Sequence, residues 1–443
     1  MLQFAITTLG CKVNQCEEKQ ISSLFINAGF AQTGLKDAAD IYIINSCAIT
    51  REAENKARQI ASSLKTRFPG CLVALAGCYA TRLNGEKINH IDIYIRQRDK
   101  DKILDICLDA LEEKNAVRAP LPAAARGGAQ QAAGPHCGFS SRTRAQLKIQ
   151  DGCKNFCSYC IVPYIRNIEY SMPPEKVIGE IDRLSKEGYS EIVLTGIHIG
   201  KYSTRDIYSN PFGLQQLLKM IDLYPFSREF RIRLSSIDPS ELSESIILLI
   251  KNSPRFAPHF HVALQSGSDR ILRLMNRAYS RGEFIEKIEL IKKNIELAAL
   301  TSDVIAGFPS ETPEDFEHTY KLLDELEFYD FHIFKYSDRP GTQAYSMKDK
   351  IDAAEKKMRS AKLHELKYKK NRMFYDSNAG REAFVIAEKI ISISPEGMAV
   401  LSGHTERYIE AAFEGSPDMI AKIVKIKLIA PSATSDGMTA VLI

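Results

Sequence analysis

Two runs of alternating strand and helix patterns, separated by a stretch that suits neither, constrain this chain more than any other feature. In the first 112 residues, "FAITT", "IYIINS", "CLVALAG" and "IDIYI" are short β-branched runs. Helical patterns follow them at about residues 15–28, 51–68, 81–87 and 99–112. Such alternation specifies an open parallel α/β sheet with helices on its faces. Then comes "NAVRAPLPAAARGGAQQAAGPHCG", whose Ala, Gly, Pro and Gln content marks a flexible linker. From about Ala145 the alternation resumes with "QLKIQ", "EIVLTG", "FRIRLSS", "HFHVALQ", "TSDVIAGF" and "FHIFKYS". Six strand–helix units fit an incomplete (β/α)6 barrel better than a closed eight-unit one. After a basic segment, "EKKMRSAKLHELKYKKNRM", short strands and turns without long helices predict a small all-β barrel. The expected divisions are therefore 1–113, a linker at 114–138, a core at 139–372 and a terminal domain at 373–443. A chain of 443 residues is long enough for that many cores.

Cysteine placement carries the chemistry. All ten cysteines lie at or before residue 160. No apolar run reaches the length of a membrane span, and Met1 leads straight into a strand pattern rather than a signal peptide. A cytoplasmic protein with no membrane partner is expected. In a reducing compartment, clustered cysteines bind metal or do redox chemistry rather than form disulfides. Cys11 follows the first strand, Cys47 ends the second and Cys78 comes just after the third. All three are thus placed at the carboxyl edge, where open α/β sheets bind ligands. The second block repeats the theme in "DGCKNFCSYCIVPYIR", where Cys153, Cys157 and Cys160 follow its first strand. This Cys-x3-Cys-x2-Cys spacing lets one loop wrap three corners of a [4Fe–4S] cluster. Full protein ligation needs four thiolates, so one iron keeps an open position. Zinc is the rival, but no histidine lies in or near the loop to complete a tetrahedral site. A net charge of +4 is only a slight pointer to an anionic partner.

The cysteine loop, with Phe156 and Tyr159, closely resembles the radical S-adenosylmethionine (SAM) superfamily. "TTLGCKVNQ", "NSCAIT", "AGCYA", "LQSGSD" and "DVIAGFPSET" extend the resemblance over nearly the whole chain to the methylthiotransferases. That resemblance implies SAM as cofactor, with Cys153, Cys157 and Cys160 holding the cluster that cleaves it to a 5′-deoxyadenosyl radical. It also implies a second [4Fe–4S] cluster on Cys11, Cys47 and Cys78, whose open iron holds the sulfur to be transferred. "GCKVNQ" and "LTGIHIG" point to the branch that modifies C2 of N6-threonylcarbamoyladenosine in tRNA. The isopentenyladenosine branch usually has Gln-Met-Asn where this chain has Lys12-Val13-Asn14. A ribosomal-protein aspartate is the other substrate class of the family, and a non-catalytic iron–sulfur RNA-binding or sensor protein is the non-enzymatic alternative. An electron donor of flavodoxin or ferredoxin type is a further implied partner.

Gly196, Ser235 and Gln265 match family motifs at the barrel's catalytic rim and are the expected SAM contacts. Arg233 could pair with the SAM carboxylate or with a neighbouring Asp. Cys16, Cys71, Cys107 and Cys137 match no ligand position and are expected to pack or to be incidental. The terminal barrel is similar to the TRAM domain that grips RNA. Lys356, Lys357, Arg359, Lys362, Lys367, Lys369, Lys370 and Arg372 on the basic segment, with Lys422, Lys425 and Lys427, offer phosphate contacts. Tyr408 could stack on loop bases. Three departures from the family pattern bear on the substrate side: Asn167 replaces a glycine, Met172 an arginine, and "IRQRDK" lacks the usual Gly-Asn.

Overall fold

The computed structural model describes residues 1–114, 136–138, 143–206, 209–395, 397–432 and 436–443. Most of the expected linker lies outside them. The first unit is a five-stranded parallel sheet in the order Ala31–Gln32, Gln3–Thr8, Ile41–Ser46, Leu72–Gly77, Ile93–Arg96. Alternate residues of one strand serve two cores, as the two-residue period requires. Ile41 and Ile43 join Phe4, Phe25 and Leu108 on one face, while Tyr42 and Ile44 join Ala57 and Leu64 on the other. Burial on both faces explains why these strands read as continuous apolar runs. The helix expected at 81–87 is Cys78–Leu83 instead. Gly77, at φ +95°, turns the chain from strand directly into helix, so Cys78 is its first residue. The two-residue strand Ala31–Gln32 is too short to leave a periodic signal.

The central unit has the expected six parallel strands: Arg144–Lys148, Glu191–Thr195, Arg231–Leu234, His259–His261, Ala299–Ala306 and Asp330–Lys335. Bridges between Ile237 and Val262 and between Ile232 and Phe256 join its two halves. Among the described residues the first and last strands do not pair, so the barrel stays open on one side. An unanticipated strand, His136–Gly138, runs antiparallel to Arg144–Lys148, with Cys137 opposite Gln146.

The helix Ala353–Asn378 lies along the last barrel strand and leads into a closed five-stranded barrel, as expected. Its basic residues are less available than the sequence promised. Arg359 and Lys370 are buried; Arg359 pairs with Glu311 at 2.6 Å, and Lys370 donates to the Leu326 carbonyl at 3.0 Å. Lys367 and Lys369 pair with Asp330 and Asp324.

The terminal barrel seats on the amino ends of the central strands, and two expectations fail there. Arg233 faces neither the thiols nor an Asp. It pairs with buried Glu191 at 2.8 Å and donates to the carbonyls of Thr405 and Glu406. Tyr408 is not displayed for base stacking. Its half-buried ring lies 4.8 Å from the Arg233 guanidinium and 5.7 Å from that of Arg144, where cation–π attraction holds it in the junction.

Candidate active site

The Cys153–Cys160 loop is held by backbone that tolerates no slack. Gly152 adopts φ +79°, and a Cβ there would stand 2.1 Å from the Ile168 carbonyl oxygen. Phe156 is also left-handed, at φ +48°, with its carbonyl accepting from Asn276 Nδ2 at 3.1 Å. Ser158 binds the far wall, donating through N to Met275 O at 2.9 Å and through Oγ to Leu274 O at 2.7 Å. The three thiols therefore keep a fixed relation to the barrel rim.

Two positive or polar groups address these sulfurs. Arg277 Nη1 donates to Cys157 Sγ at 3.3 Å, and its other arm pairs with Asp238. His198 Nδ1 lies 3.5 Å from Cys153 Sγ, while its Nε2 is 2.7 Å from Glu241. Contrary to the expectation of no histidine near the loop, this one, within "LTGIHIG", arrives from the segment after the next strand, 45 residues on. Burial and the neighbouring thiols push Cys160 up to about 12. Loading a cation on such a set releases protons.

The three thiols open on a cleft of about 430 Å3 whose lining also includes Cys11, Gly196, Ser235 and Gln265. All three expected SAM contacts are thus at the cleft. Gly196 has no room for a side chain: a Cβ would meet Gln150 at 2.9 Å. Ser235 Oγ is buried with no hydrogen-bond partner among the described residues, leaving it for a ligand. Gln265 is held at φ +65° by paired backbone bonds, its N to Asp303 O at 2.8 Å and its O from Ile305 N at 2.9 Å.

Cys11, Cys47 and Cys78 converge as well. Cys11 precedes the helix Lys12–Asn27, Cys47 follows the strand Ile41–Ser46, and Cys78 is near enough to both to act on their ionisation. Burial raises Cys11, and raises Cys47 to about 12. A buried polar web fixes their loops. Asn14 Nδ2 donates to Leu9 O and Ser46 O at 3.1 and 3.2 Å, and Asn45 Nδ2 donates to Asn14 O at 2.8 Å. Arg166 crosses from the other triad's segment, pairing with Glu17 and Asp151 at 2.8 Å and donating to Asn14 at 3.1 Å. Lys100, from "IRQRDK", joins Glu17 and Asn45. Burial would raise Glu17, but Lys100, Arg166 and Lys148 hold it well below the usual carboxylate range. Sequence reasoning did not find this web, since charge burial leaves no local pattern.

Cys16, Cys71 and Cys107 are buried, and Cys16 Sγ sits 3.6 Å from Gln146 O across the two parallel units. Met172 is in the central core, while Asn167 is exposed beside Arg96 and Arg98. Each site offers three thiols, with His198 standing beside Cys153 at one of them, and a set of three thiolates fits an iron–sulfur cluster.

Residues 147–323 match the radical SAM superfamily, and residues 3–96 match uncharacterized protein family UPF0004. Threonylcarbamoyladenosine tRNA methylthiotransferase MtaB of Bacillus subtilis is 35% identical over 97% of this chain and 94% of its own. The protein of that name from Aquifex aeolicus is 35% identical over 96% of this chain and 100% of its own. The tRNA-2-methylthio-N(6)-dimethylallyladenosine synthase of Dictyoglomus thermophilum is 32% identical over 97% and 96%. Among solved structures, the radical SAM methyltransferase TsrM of Kitasatospora setae shares the fold, with TM-score 0.52, 12% identity and coverage of 78% and 77%. The chain belongs to the radical SAM methylthiotransferase family. Membership brings with it SAM and a [4Fe–4S] cluster as cofactors. No helix among the described residues is long and apolar enough to cross a membrane.

Proposed function

We propose that the chain methylthiolates C2 of N6-threonylcarbamoyladenosine in tRNA, with one [4Fe–4S] cluster on Cys153, Cys157 and Cys160 and a second on Cys11, Cys47 and Cys78. The supporting observation is that Cys11 of the second triad lines one cleft with Cys153, Cys157 and Cys160, so a single substrate can approach both triads. When bound, the clusters supply one-electron cleavage of SAM and a place for the transferred sulfur. The chain's own residues hold the geometry. Arg277 offsets charge at Cys157, Ser235 and Gln265 face SAM, and the Arg166 web keeps the two triads in register. The N-terminal domain (1–113) carries the second triad, the core (139–372) the first, and the terminal barrel (373–443) grips RNA.

Lys357, Lys362, Arg372 and Lys427 are exposed and without acidic partners among the described residues, so they suit phosphate contacts. Affinity for tRNA should fall steeply with salt. The test is nucleoside analysis of tRNA from a strain lacking the gene, with and without the gene restored. Loss and recovery of the methylthio form of threonylcarbamoyladenosine is expected. Loss of only the isopentenyl derivative, or of a ribosomal-protein modification, would replace this reading.

Gly10 offers a check on the second triad. It adopts φ +114°, and a Cβ would stand 2.4 Å from Cys47 Cβ and 2.9 Å from its Sγ. Gly10→Ala should displace Cys47 and lower iron from about eight to about four per chain, the counts for two and one cubanes. Unchanged iron by anaerobic assay would detach Cys47 from the site.

A further inference from the structure

Away from the sulfurs, the cleft is lined by a group that neither cluster uses. His261, Asp303 and His332 come from three adjacent parallel strands, with Asp303 directly opposite His332 in the register. His261 Nε2 lies 3.2 Å from Asp303, its Nδ1 lies 2.9 Å from Thr301 Oγ1, and its ring stacks on His332 at 5.6 Å. Lys12 reaches the same cleft from the first turn of the helix that follows Cys11. It is exposed and makes no direct hydrogen bond or ion pair among the described residues, although Asp303 lies within its electrostatic reach. Burial would raise Asp303, yet His261, His332 and Lys12 together hold it below its ordinary value.

This corner therefore offers one unpaired ammonium and one imidazole edge beside a carboxylate that is already engaged. A neutral alkenyl substituent has nothing to satisfy there. A threonylcarbamoyl group does: it carries an anionic carboxylate, a hydroxyl and, beyond the N6–H that both substrates share, a second urea N–H on the threonyl nitrogen. Resting on the substrate reading above, we propose that Lys12 and His332 bind the threonyl carboxylate and hydroxyl, with Asp303, oriented by His261, accepting from that second urea N–H. The subsite makes the carboxylate the feature that distinguishes this substrate from an isopentenyl one. The ammonium is the largest contributor, because charge-assisted hydrogen bonds are about twice as strong as neutral ones.

SAM also carries a carboxylate, so the experiment must separate the two sources. Anaerobically loaded protein is titrated with three anticodon stem-loops, without SAM. One bears threonylcarbamoyladenosine, one its threonine-carboxamide analogue and one isopentenyladenosine. SAM affinity is measured separately. Wild-type protein should bind the carboxylate stem-loop at least about tenfold more tightly than the carboxamide. Lys12→Met should abolish that preference, Lys12→Arg should restore it, and His332→Gln should reduce it. An unaltered preference in Lys12→Met overturns the subsite, as does weakening of SAM binding with RNA preference intact. Wild-type protein that shows no preference, yet methylthiolates the threonylcarbamoyl stem-loop, overturns the subsite alone. Wild-type protein that acts only on another substrate overturns the function and the subsite together. Zinc or iron retained on the chain and lost in His332→Gln would also overturn it, by making the two histidines and Asp303 a metal site.

Discussion

Cys157→Ala should abolish SAM cleavage, whereas Cys47→Ala should leave cleavage in place and stop methylthiolation. The asymmetry follows from where the two thiols stand. Cys157 is the middle sulfur of the loop on the barrel rim and takes a hydrogen bond from Arg277 at 3.3 Å. Removing it leaves two thiols, too few to hold a cubane whose open iron is to bind SAM. Cys47 belongs to the other sheet, held by the Asn14 and Asn45 web and not by the barrel. Its loss leaves Cys153, Cys157 and Cys160 and their anchors at Met275 and Leu274 untouched. Anaerobic iron and sulfide content, Mössbauer spectra and product analysis read all three outcomes. Each variant should carry about four irons where the wild type carries about eight. Methylthiolation by Cys47→Ala at the wild-type rate would show that the second triad does not deliver sulfur.

The positions of the six cysteines were legible in the sequence because they depend on local rules. Strand ends can be read from β-branched runs, and α/β topology places strand ends on one rim. The six-strand central unit and the closed terminal barrel follow from the same patterning. Cys78 shows the resolution of such reading: it was placed just after a strand, but not as the first residue of a helix, because Gly77 makes the turn through a conformation that periodicity does not encode. What the sequence hid is tertiary. His198, Arg277 and Arg166 reach the sulfurs or their web from 45, 120 and 149 residues away along the chain. Arg359 and Lys370 look, in a basic run, like a surface for phosphate, and only burial against Glu311 and the Leu326 carbonyl shows otherwise. A local charge pattern cannot say which side of a helix a neighbour will cover.

Glu191→Gln should be the most destabilising single change outside the cleft. Glu191 is fully buried at the amino end of its strand, 2.6 Å from Arg231 and 2.8 Å from Arg233. The same guanidiniums donate to the carbonyls of Phe384, His404, Thr405 and Glu406, so one carboxylate is shared by the two cations that join the central and terminal barrels. An amide keeps the shape and loses the charge, leaving two buried cations uncompensated. Removing one partner of a buried pair costs roughly 3–5 kcal/mol. The pH dependence has a definite sign. Burial would raise the Glu191 carboxyl, but Arg233 and Arg231 prevail and depress it far below its ordinary value. A depressed folded-state value means the stabilisation is complete above the unfolded carboxyl value of about 4.3. It is lost progressively as pH falls from there toward the folded value. The gap between wild type and Glu191→Gln should therefore be constant near neutrality and narrow below about pH 4. Thermal unfolding at several pH values measures the gap, and limited proteolysis between the helix Ala353–Asn378 and the strand Glu382–Ile393 reports whether the terminal barrel comes loose first. Equal midpoints for the two proteins at pH 7 would mean that hydrogen bonds to the four carbonyls alone suffice to hold the buried arginines, and that the joint does not depend on the carboxylate.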